Sequence, residues 1–272
     1  PSGFANSLKL DCTTADTSIA AGELFLIQQR IEGQNLQSFA KGTSDAKPFA
    51  VSFYVKGNAS ATYVAELFDQ DNTRHVAKTF SVTTDWTRVE LSFPADTTGS
   101  LDDDNARSLD LNIWLHAGST YSSGTLPATW ASNTSANRAA GISSFFDSTD
   151  RTFFLTGVQL EIGQNPTSFE HEPFERTLAK CHRYYIEKEI HQIYRDGVSN
   201  TAEYMAEDFP VFMRAQGTGS IINQVQYWSG GTPTNITPDI YPRVDQIRVV
   251  VGSLSSSRGF VSGGIIAADA EL

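Results

Sequence analysis

Apolar residues recur at every second position through most of the first 163 residues, and this period constrains the fold more than any other feature. In the clearest example, residues 109–115, leucine and isoleucine alternate with a polar set: Asp110, Asn112, Trp114 and His116. Comparable stretches cover residues 24–31, 49–55, 61–68, 76–82, 87–93 and 153–162, and turn-forming residues separate them. Short strands at this spacing predict a mainly β chain that begins with a jelly-roll β-sandwich.

The remainder of the chain predicts a short helix and a second, smaller β-domain. Residues 1–163 form the predicted sandwich, 164–173 the linker, and 174–272 the helix and the C-terminal β-domain. Pro173 suits the first turn of the helix, and an apolar stripe follows at helical spacing: Phe174, Leu178, Cys181 and Tyr185. We expect this stripe to be core. Further strands are predicted at 189–195, 202–206, 209–214, 219–228, 245–252 and 259–268, with a loop at 229–233.

Residues 118–150 interrupt the alternation. They are rich in Ser, Thr, Ala, Gly and Asn, and their main bulky residues are Trp130, Phe145 and Phe146. A structureless loop of this length is uncommon in a compact domain, so we expect it to be functional or packed against a neighbouring subunit.

The formal net charge of −11 argues against nucleic acid as a partner, since a phosphate backbone would be repelled on average. No apolar run approaches the roughly 20 residues of a membrane helix, so membrane insertion is not expected. Cys12 and Cys181 are far apart in sequence. Two buried free thiols are favoured over a disulfide, because assembly in a reducing cell keeps thiols reduced.

Catalytic and metal motifs are missing from the sequence. It has no nucleophile elbow and no closely spaced Cys or His pair, so we expect neither catalysis nor a cofactor. The acidic turns at 69–71 and 102–104 could hold Ca²⁺, but solvated turns are favoured. Glu32 and Glu161 fall on outward strand faces and could form the carboxylate pair of a glycan hydrolase.

Flat aromatic faces and a few orienting polar groups are well suited to glycan binding. Alternation places Trp114 on the polar side of its strand beside Asn112 and His116, and Tyr54 and Arg30 on comparable outward faces. Other residues on such faces are Gln28, Glu32, Trp86, Arg88 and Glu90. These residues predict a glycan-binding face. Because outward Trp, Tyr and Arg are equally typical of subunit interfaces, that alternative stays open.

Several segments taken in order resemble one protein family. They include residues 1–9 (PSGFANSLK), 27–33 (IQQRIEG), 49–55, 97–99 and 117–121. The most specific are 156–163 (TGVQLEIG), 169–170 (FE), 181–185 (CHRYY) and 209–215 (FPVFMRA). Together they resemble tail-fibre and other appendage proteins of tailed bacteriophages, which have a jelly-roll domain similar to carbohydrate-binding modules.

The resemblance implies a non-enzymatic component of a phage particle, assembled in the host cytoplasm. Its implied partners are other copies of the chain in a homotrimer, other virion proteins and the host's surface polysaccharide. The position on the particle stays open. The alternatives are a purely structural head-decoration, head-fibre or connector protein and, ranked lower, a capsule depolymerase. Since the chain begins with Pro1, we expect an upstream segment that attaches it to the virion.

Overall fold

The computed structural model describes residues 1–190, 193–196, 203–229, 232–251, 258–262 and 264–271. The chain divides into two compact units, unit 1 (Pro1–Glu170) and unit 2 (His171–Glu271). Both consist mainly of antiparallel strands, which confirms the predicted fold class. No helix among the described residues is both long enough and apolar enough to cross a membrane.

Two antiparallel sheets form unit 1. Its strands are β1 (Leu8–Asp11), β2 (Leu24–Glu32), β3 (Phe49–Gly57), β4 (Ala61–Asp69), β5 (Arg74–Val82), β6 (Thr87–Phe93), β7 (Arg107–Ala117), β8 (Ala131–Ser132) and β9 (Thr152–Ile162). Sheet A has the order β1-β9-β3-β6, and sheet B has the order β2-β7-β4-β5-β8. If the two-residue β8 is set aside, the eight remaining strands have the connectivity of a jelly roll.

The core of unit 1 lies between the two sheets. Phe49, Val51, Phe53 and Val55 of β3 are fully buried and face Leu109, Leu111, Ile113 and Leu115 of β7 within one apolar cluster. Aromatic rings fill much of this space, and those of Phe39 and Phe49 stack 4.1 Å apart. The inward faces predicted from the alternation are therefore confirmed.

A second apolar layer covers the outer face of sheet B. The segment from Gly118 to Phe146, which we call the covering loop, contains helix α1 (Ser119–Ser122), β8 and a short 3₁₀ turn. Four residues of sheet B, Val64, Ala77, Trp114 and Ala117, are buried together with Ala139 of the covering loop. Leu26 of sheet B and Tyr121, Leu126 and Ile142 of the loop pack against them. The long loop thus packs on the sheet of its own chain, and the functional role or subunit contact expected of it stays a prediction.

Unit 2 contains helix α2 (Phe174–His182) and a set of short strands. The strands are β10 (Tyr185–Glu189), β11 (Ile193–Asp196), β12 (Glu203–Asp208), β13 (Thr218–Ile221), β14 (Val225–Ser229), β15 (Thr232–Ile236), β16 (Asp239–Pro242), β17 (Gln246–Val251), β18 (Arg258–Ser262) and β19 (Ile265–Asp269). They pair in the orders β10-β19-β13, β11-β18-β14-β15 and β12-β17-β16 around an apolar core that includes Ile186, Val249 and Ile266.

The predicted strand at 209–214 is wrong, because these residues form bends and irregular structure. The predictions missed β15 and β16. Three predicted strands, 189–195, 219–228 and 259–268, are each split in two. Residues 191, 192, 202, 230, 231, 252 and 263, which belong to predicted strands or to the predicted loop, lie outside the described residues.

The prediction that the apolar stripe of α2 is core is wrong. None of the nine residues of α2 is buried; Phe174 is 71% exposed and Leu178 is 38% exposed. Both cysteines are free thiols, and Cys12 is buried as expected, whereas Cys181 is exposed. Helical spacing identified the residues of α2 that share one apolar face, but it does not determine whether that face is buried.

Candidate functional site

Three of the predicted glycan-binding residues lie on the outer face of β7 and are buried there. Trp114 and Asn112 have no exposed surface, and His116 is 2% exposed. Their outward orientation agrees with the alternation, but the exposure expected of them is not observed, because the covering loop lies over this face. Glycan binding by these three residues stays a prediction that would require the loop to move.

A buried carboxylate organises this face. Glu66 of β4 accepts hydrogen bonds from Trp114 Nε1 (2.9 Å), Asn112 Nδ2 (3.0 Å) and Arg138 Nη2 (2.8 Å) at Oε2. Its Oε1 accepts one from Arg138 Nε at 2.9 Å and lies 2.9 Å from His75 Nδ1. We call these five residues the Glu66 cluster. Arg138 comes from the covering loop, so the cluster fastens that loop to sheet B.

The Glu66 cluster keeps its carboxylate ionised. Burial alone would raise the pKa of Glu66, but hydrogen bonds from His75, Arg138 and Trp114, together with the charge of Arg138, outweigh burial and lower that pKa. A carboxylate in this state cannot serve as a general acid near neutral pH.

The Arg138 guanidinium contacts two aromatic rings. Its Cζ lies 4.5 Å from the ring centroid of Phe68 and 5.0 Å from that of Trp114, within the range of cation–π attraction. Since Arg138 and Tyr121 both lie against the indole, the surface that a sugar ring would use on Trp114 is occupied. His116 is similarly enclosed: its Nδ1 lies 2.8 Å from Ser144 Oγ, and its ring meets Phe146 edge-on.

Of the predicted glycan-binding residues on sheet B, Arg30 is the one that is exposed. Its Nε donates to Oε1 of Gln28 at 2.8 Å, and Nε2 of Gln28 donates to Oδ1 of Asn112 at 2.9 Å. This chain of hydrogen bonds joins exposed Arg30 to the buried Glu66 cluster. The structure therefore links Arg30, Asn112 and Trp114 in one network.

Tyr54, the fifth predicted residue, belongs to the other sheet. It is half-buried on the outer face of sheet A, with its ring 5.2 Å from that of Phe4. Phe4 in turn meets the ring of Phe169 at 4.9 Å. The start and the end of unit 1 thus pack together over Tyr54, and we call these three residues the aromatic clasp.

Polar contacts reinforce the aromatic clasp. The carboxylate of Glu161 accepts hydrogen bonds from the backbone N–H (2.7 Å) and the hydroxyl (2.8 Å) of Thr167, and Arg88 donates to the Thr167 carbonyl oxygen. Burial raises the pKa of Glu161, but hydrogen bonds from Gln159 and Thr167 and the charge of Arg88 together lower it overall. Arg88 and Glu161 therefore hold residues 167–169 on sheet A.

Trp86, which the alternation predicts on an outward face, belongs to a surface that the sequence pattern did not predict. Lys9 of β1, Phe154 of β9 and Lys56 of β3 stand side by side in the register of sheet A, and Trp86 comes directly before β6 at the same level. The rings of Trp86 and Phe154 lie 6.1 Å apart, and Lys9 Nζ lies 5.9 Å from the centroid of Phe154. We call these four residues the aromatic row. Cross-strand register, which the sequence does not give, was needed to find it.

The aromatic row has unused hydrogen-bond donors. Among the described residues, neither the Lys56 ammonium nor the Trp86 indole N–H has a hydrogen-bond acceptor, and Lys9 forms an exposed ion pair with Asp11 at 2.8 Å. Trp86 and Phe154 are half-buried, so their rings are fixed while part of each remains accessible. Fixed aromatic surface beside free donors is one combination that can bind a sugar ring.

The acidic turns considered for Ca²⁺ make other contacts. Asp69 Oδ2 lies 2.5 Å from the Nζ of Lys41, which also contacts Asp96 (3.1 Å) and the carbonyl oxygens of Thr98 and Gly99. Asp71 accepts a hydrogen bond from the backbone N–H of Asp102. Within the described residues, no group of three or more His, Cys, Asp or Glu residues is placed to hold a metal ion.

Glu32 and Glu161, the pair considered for glycan hydrolysis, lie on different sheets. Glu32 is fully buried at the end of β2 in sheet B, whereas Glu161 lies on the outer face of sheet A. The carboxylates of Glu161 and Glu66 are both saturated by hydrogen bonds.

No family model matches the sequence, and no curated protein matches it. Two solved structures are weak neighbours. One, described as "CBM4 structure and function", is 12% identical with a TM-score of 0.29 and covers 57% of this chain and 94% of its own. The other, a cryo-EM structure of T=1 Penaeus vannamei nodavirus, is 10% identical with a TM-score of 0.24 and covers 97% of this chain and 96% of its own. At these scores neither structure bears on function.

Proposed function

We propose that this chain is a non-catalytic component of a tailed-phage particle, a tail fibre or spike whose unit 1 binds host surface polysaccharide. The observation that carries the binding role is the aromatic row, where two fixed rings adjoin an unpaired ammonium and an unpaired indole N–H. The phage assignment rests on the sequence resemblance. We extend the proposal to a homotrimer located in the virion, with other virion proteins as its partners.

The state of the carboxylates supports a non-catalytic role. A glycan hydrolase needs one carboxyl group that holds its proton and a second across a cleft. Glu66 and Glu161 both have a lowered pKa and are held by hydrogen bonds, and the described acids that we considered as a pair lie on different sheets. These features support binding without hydrolysis.

The proposed function can be tested by binding to a panel of purified bacterial capsular polysaccharides and lipopolysaccharide O-chains. We expect the Trp86→Ala variant to bind its polysaccharide at least tenfold more weakly, equivalent to about 1.4 kcal/mol. Phe212→Ala removes an aromatic side chain that is 71% exposed in unit 2 and serves as the matched control. Wild-type affinity in Trp86→Ala would contradict the aromatic row, and release of reducing sugar would point to a depolymerase.

The second candidate is a purely structural role in the head or in a connector. The exposed apolar stripe of α2 and the exposed Phe212 favour it, since large exposed apolar side chains often mark protein–protein contacts. Under this alternative, no polysaccharide of the panel binds, and Leu178→Asp prevents assembly of the chain into oligomers or particles.

A further inference from the structure

A second surface of unit 1 has the character of a ligand site. A depression of about 330 Å³ lies at one end of sheet B, where β4 begins and β5 ends. Its lining residues are Ser60, Ala61, Thr62, Ser81, Val82, Thr83 and Ser143. Five of these seven residues carry hydroxyl groups, and none carries a charge or an aromatic ring. The volume falls at the lower end of the range for small-molecule sites.

The positions of the walls are fixed by backbone hydrogen bonds. Thr62 and Ser81 face each other directly across the β4–β5 pair. The backbone N–H of Thr62 donates to Ser143 Oγ at 3.0 Å, and the backbone N–H of Ser143 donates to the Thr62 carbonyl oxygen at 2.8 Å. The backbone that carries Thr62 and Ser143 is therefore preorganised, which lowers the entropy cost of binding.

Most of these hydroxyl groups are free to bind a ligand. Among the described residues, the side chains of Ser60, Thr62 and Ser81 make no hydrogen bond, and Ser143 Oγ, which accepts one, can still donate. Each hydroxyl donates one hydrogen bond and accepts up to two. A charged ligand would meet no opposite charge here, and an apolar ligand would leave these groups unpaired at a cost. An uncharged molecule with alternating donors and acceptors satisfies both conditions.

We infer that this depression, the hydroxyl subsite, binds one uncharged pyranose unit. The inference deepens and rests on the proposed function, because one turn borders both places. Thr83 begins the β5–β6 turn and lines the hydroxyl subsite, and Trp86 of the same turn belongs to the aromatic row. The Thr83 hydroxyl lies 3.2 Å from that of Thr87, which steadies the turn. The class of ligand is a neutral hexose within the polysaccharide.

The test is an NMR titration of ¹⁵N-labelled protein with methyl pyranosides of glucose, galactose and mannose, and with glucuronate as the anionic comparison. We expect at least one neutral pyranoside to shift the amide signals of Thr62, Ser81 and Ser143, with a dissociation constant in the millimolar range. Glucuronate should bind at least fivefold more weakly. Equal shifts with glucuronate, or no shift with any neutral pyranoside, would overturn the inference.

Two variants test whether the pyranoside binds at the hydroxyl subsite, and a third is their control. Thr62→Val removes a hydroxyl group at constant shape and should weaken pyranoside binding at least fivefold, and Ser81→Ala should act in the same direction. Thr79→Val makes the same change two residues from Ser81 on β5, outside the lining residues, and should leave binding unchanged. If Thr62→Val and Ser81→Ala both bind as the wild type does, the site lies elsewhere.

The outcomes separate this inference from the proposed function. Polysaccharide binding that depends on Trp86 but is insensitive to Thr62→Val and Ser81→Ala overturns the hydroxyl subsite and leaves the glycan-binding role intact. If Trp86→Ala binds the polysaccharide as tightly as the wild type does, and a pyranoside still shifts the amide signal of Thr62, the hydroxyl subsite is supported and the aromatic row is overturned.

Discussion

The indole nitrogen of Trp114 donates a hydrogen bond to Oε2 of Glu66 at 2.9 Å, and neither residue has any exposed surface. An aromatic residue that alternation places on an outward face is therefore part of the interior of unit 1. The part of the sheet around Trp114 is buried on both sides, by the sandwich core and by the covering loop.

We expect Trp114→Ala to destabilise unit 1 by about 3–5 kcal/mol, the usual cost of removing a buried aromatic side chain. Urea unfolding monitored by circular dichroism measures this change. Trp86→Ala is the matched control and should cost about 1 kcal/mol at most, since Trp86 is only half-buried. Equal stability of the two variants would contradict the burial of Trp114.

Acid should weaken unit 1 through Glu66. Its pKa in the folded chain lies below the ordinary value of 4.5, so its contribution to stability is complete above about pH 4.5 and is lost as the pH falls through the lowered pKa. We expect Glu66→Gln to be less stable than wild type at pH 7, with the difference shrinking in acid. Unfolding free energies between about pH 3 and 7 measure it. Glu161→Gln, at a more exposed carboxylate, should show a smaller dependence.

Removing the ammonium of Lys41 should also destabilise unit 1. Both its side chain and that of Asp69 are fully buried, so Lys41→Met leaves uncompensated negative charge at a cost of about 3–5 kcal/mol. Adding Asp69→Asn should recover part of this loss in a double-mutant cycle. Lys47→Met, at an exposed lysine, should have little effect. The ion pair would be shown unimportant if Lys41→Met unfolded at the wild-type urea concentration.

The aromatic clasp depends on a glycine. Gly157 has φ +60°, and a Cβ there would lie 2.6 Å from Cζ of Phe4. We expect Gly157→Ala to displace Phe4 and to speed hydrogen exchange in residues 4–7. Gly141→Ala is the matched control, because it has φ +79° and no atom within 4 Å of the added Cβ. If both variants speed hydrogen exchange in residues 4–7 to the same extent, the effect comes from backbone strain at the substituted glycine and not from the contact with Phe4.

Arg30 and Trp86 report on opposite faces of the sandwich. If the aromatic row binds the polysaccharide, Arg30→Ala should change affinity by less than about twofold, whereas Trp86→Ala lowers it about tenfold. If Arg30→Ala lowers the affinity for the same polysaccharide more than Trp86→Ala does, the binding site lies on the outer face of sheet B. Arg30 is the predicted glycan-binding residue that is exposed on that face.

Alternation predicted the main strands of unit 1 and their inward faces because a period of two is a local property of the chain. It could not predict that Trp114 is covered, since the cover depends on Arg138, which lies 72 positions from Glu66 in the sequence. The missed strands β15 and β16 are short and contain proline, so their pairing partners define them more than their composition does. Likewise, the aromatic row depends on the register of three strands.

The aromatic clasp has a mechanical consequence. Because Phe4 and Phe169 touch, the two ends of unit 1 leave it at neighbouring points. A force that pulls Phe4 away from Phe169 would therefore load the aromatic clasp and its Thr167 contacts before it loads the strands of the sandwich.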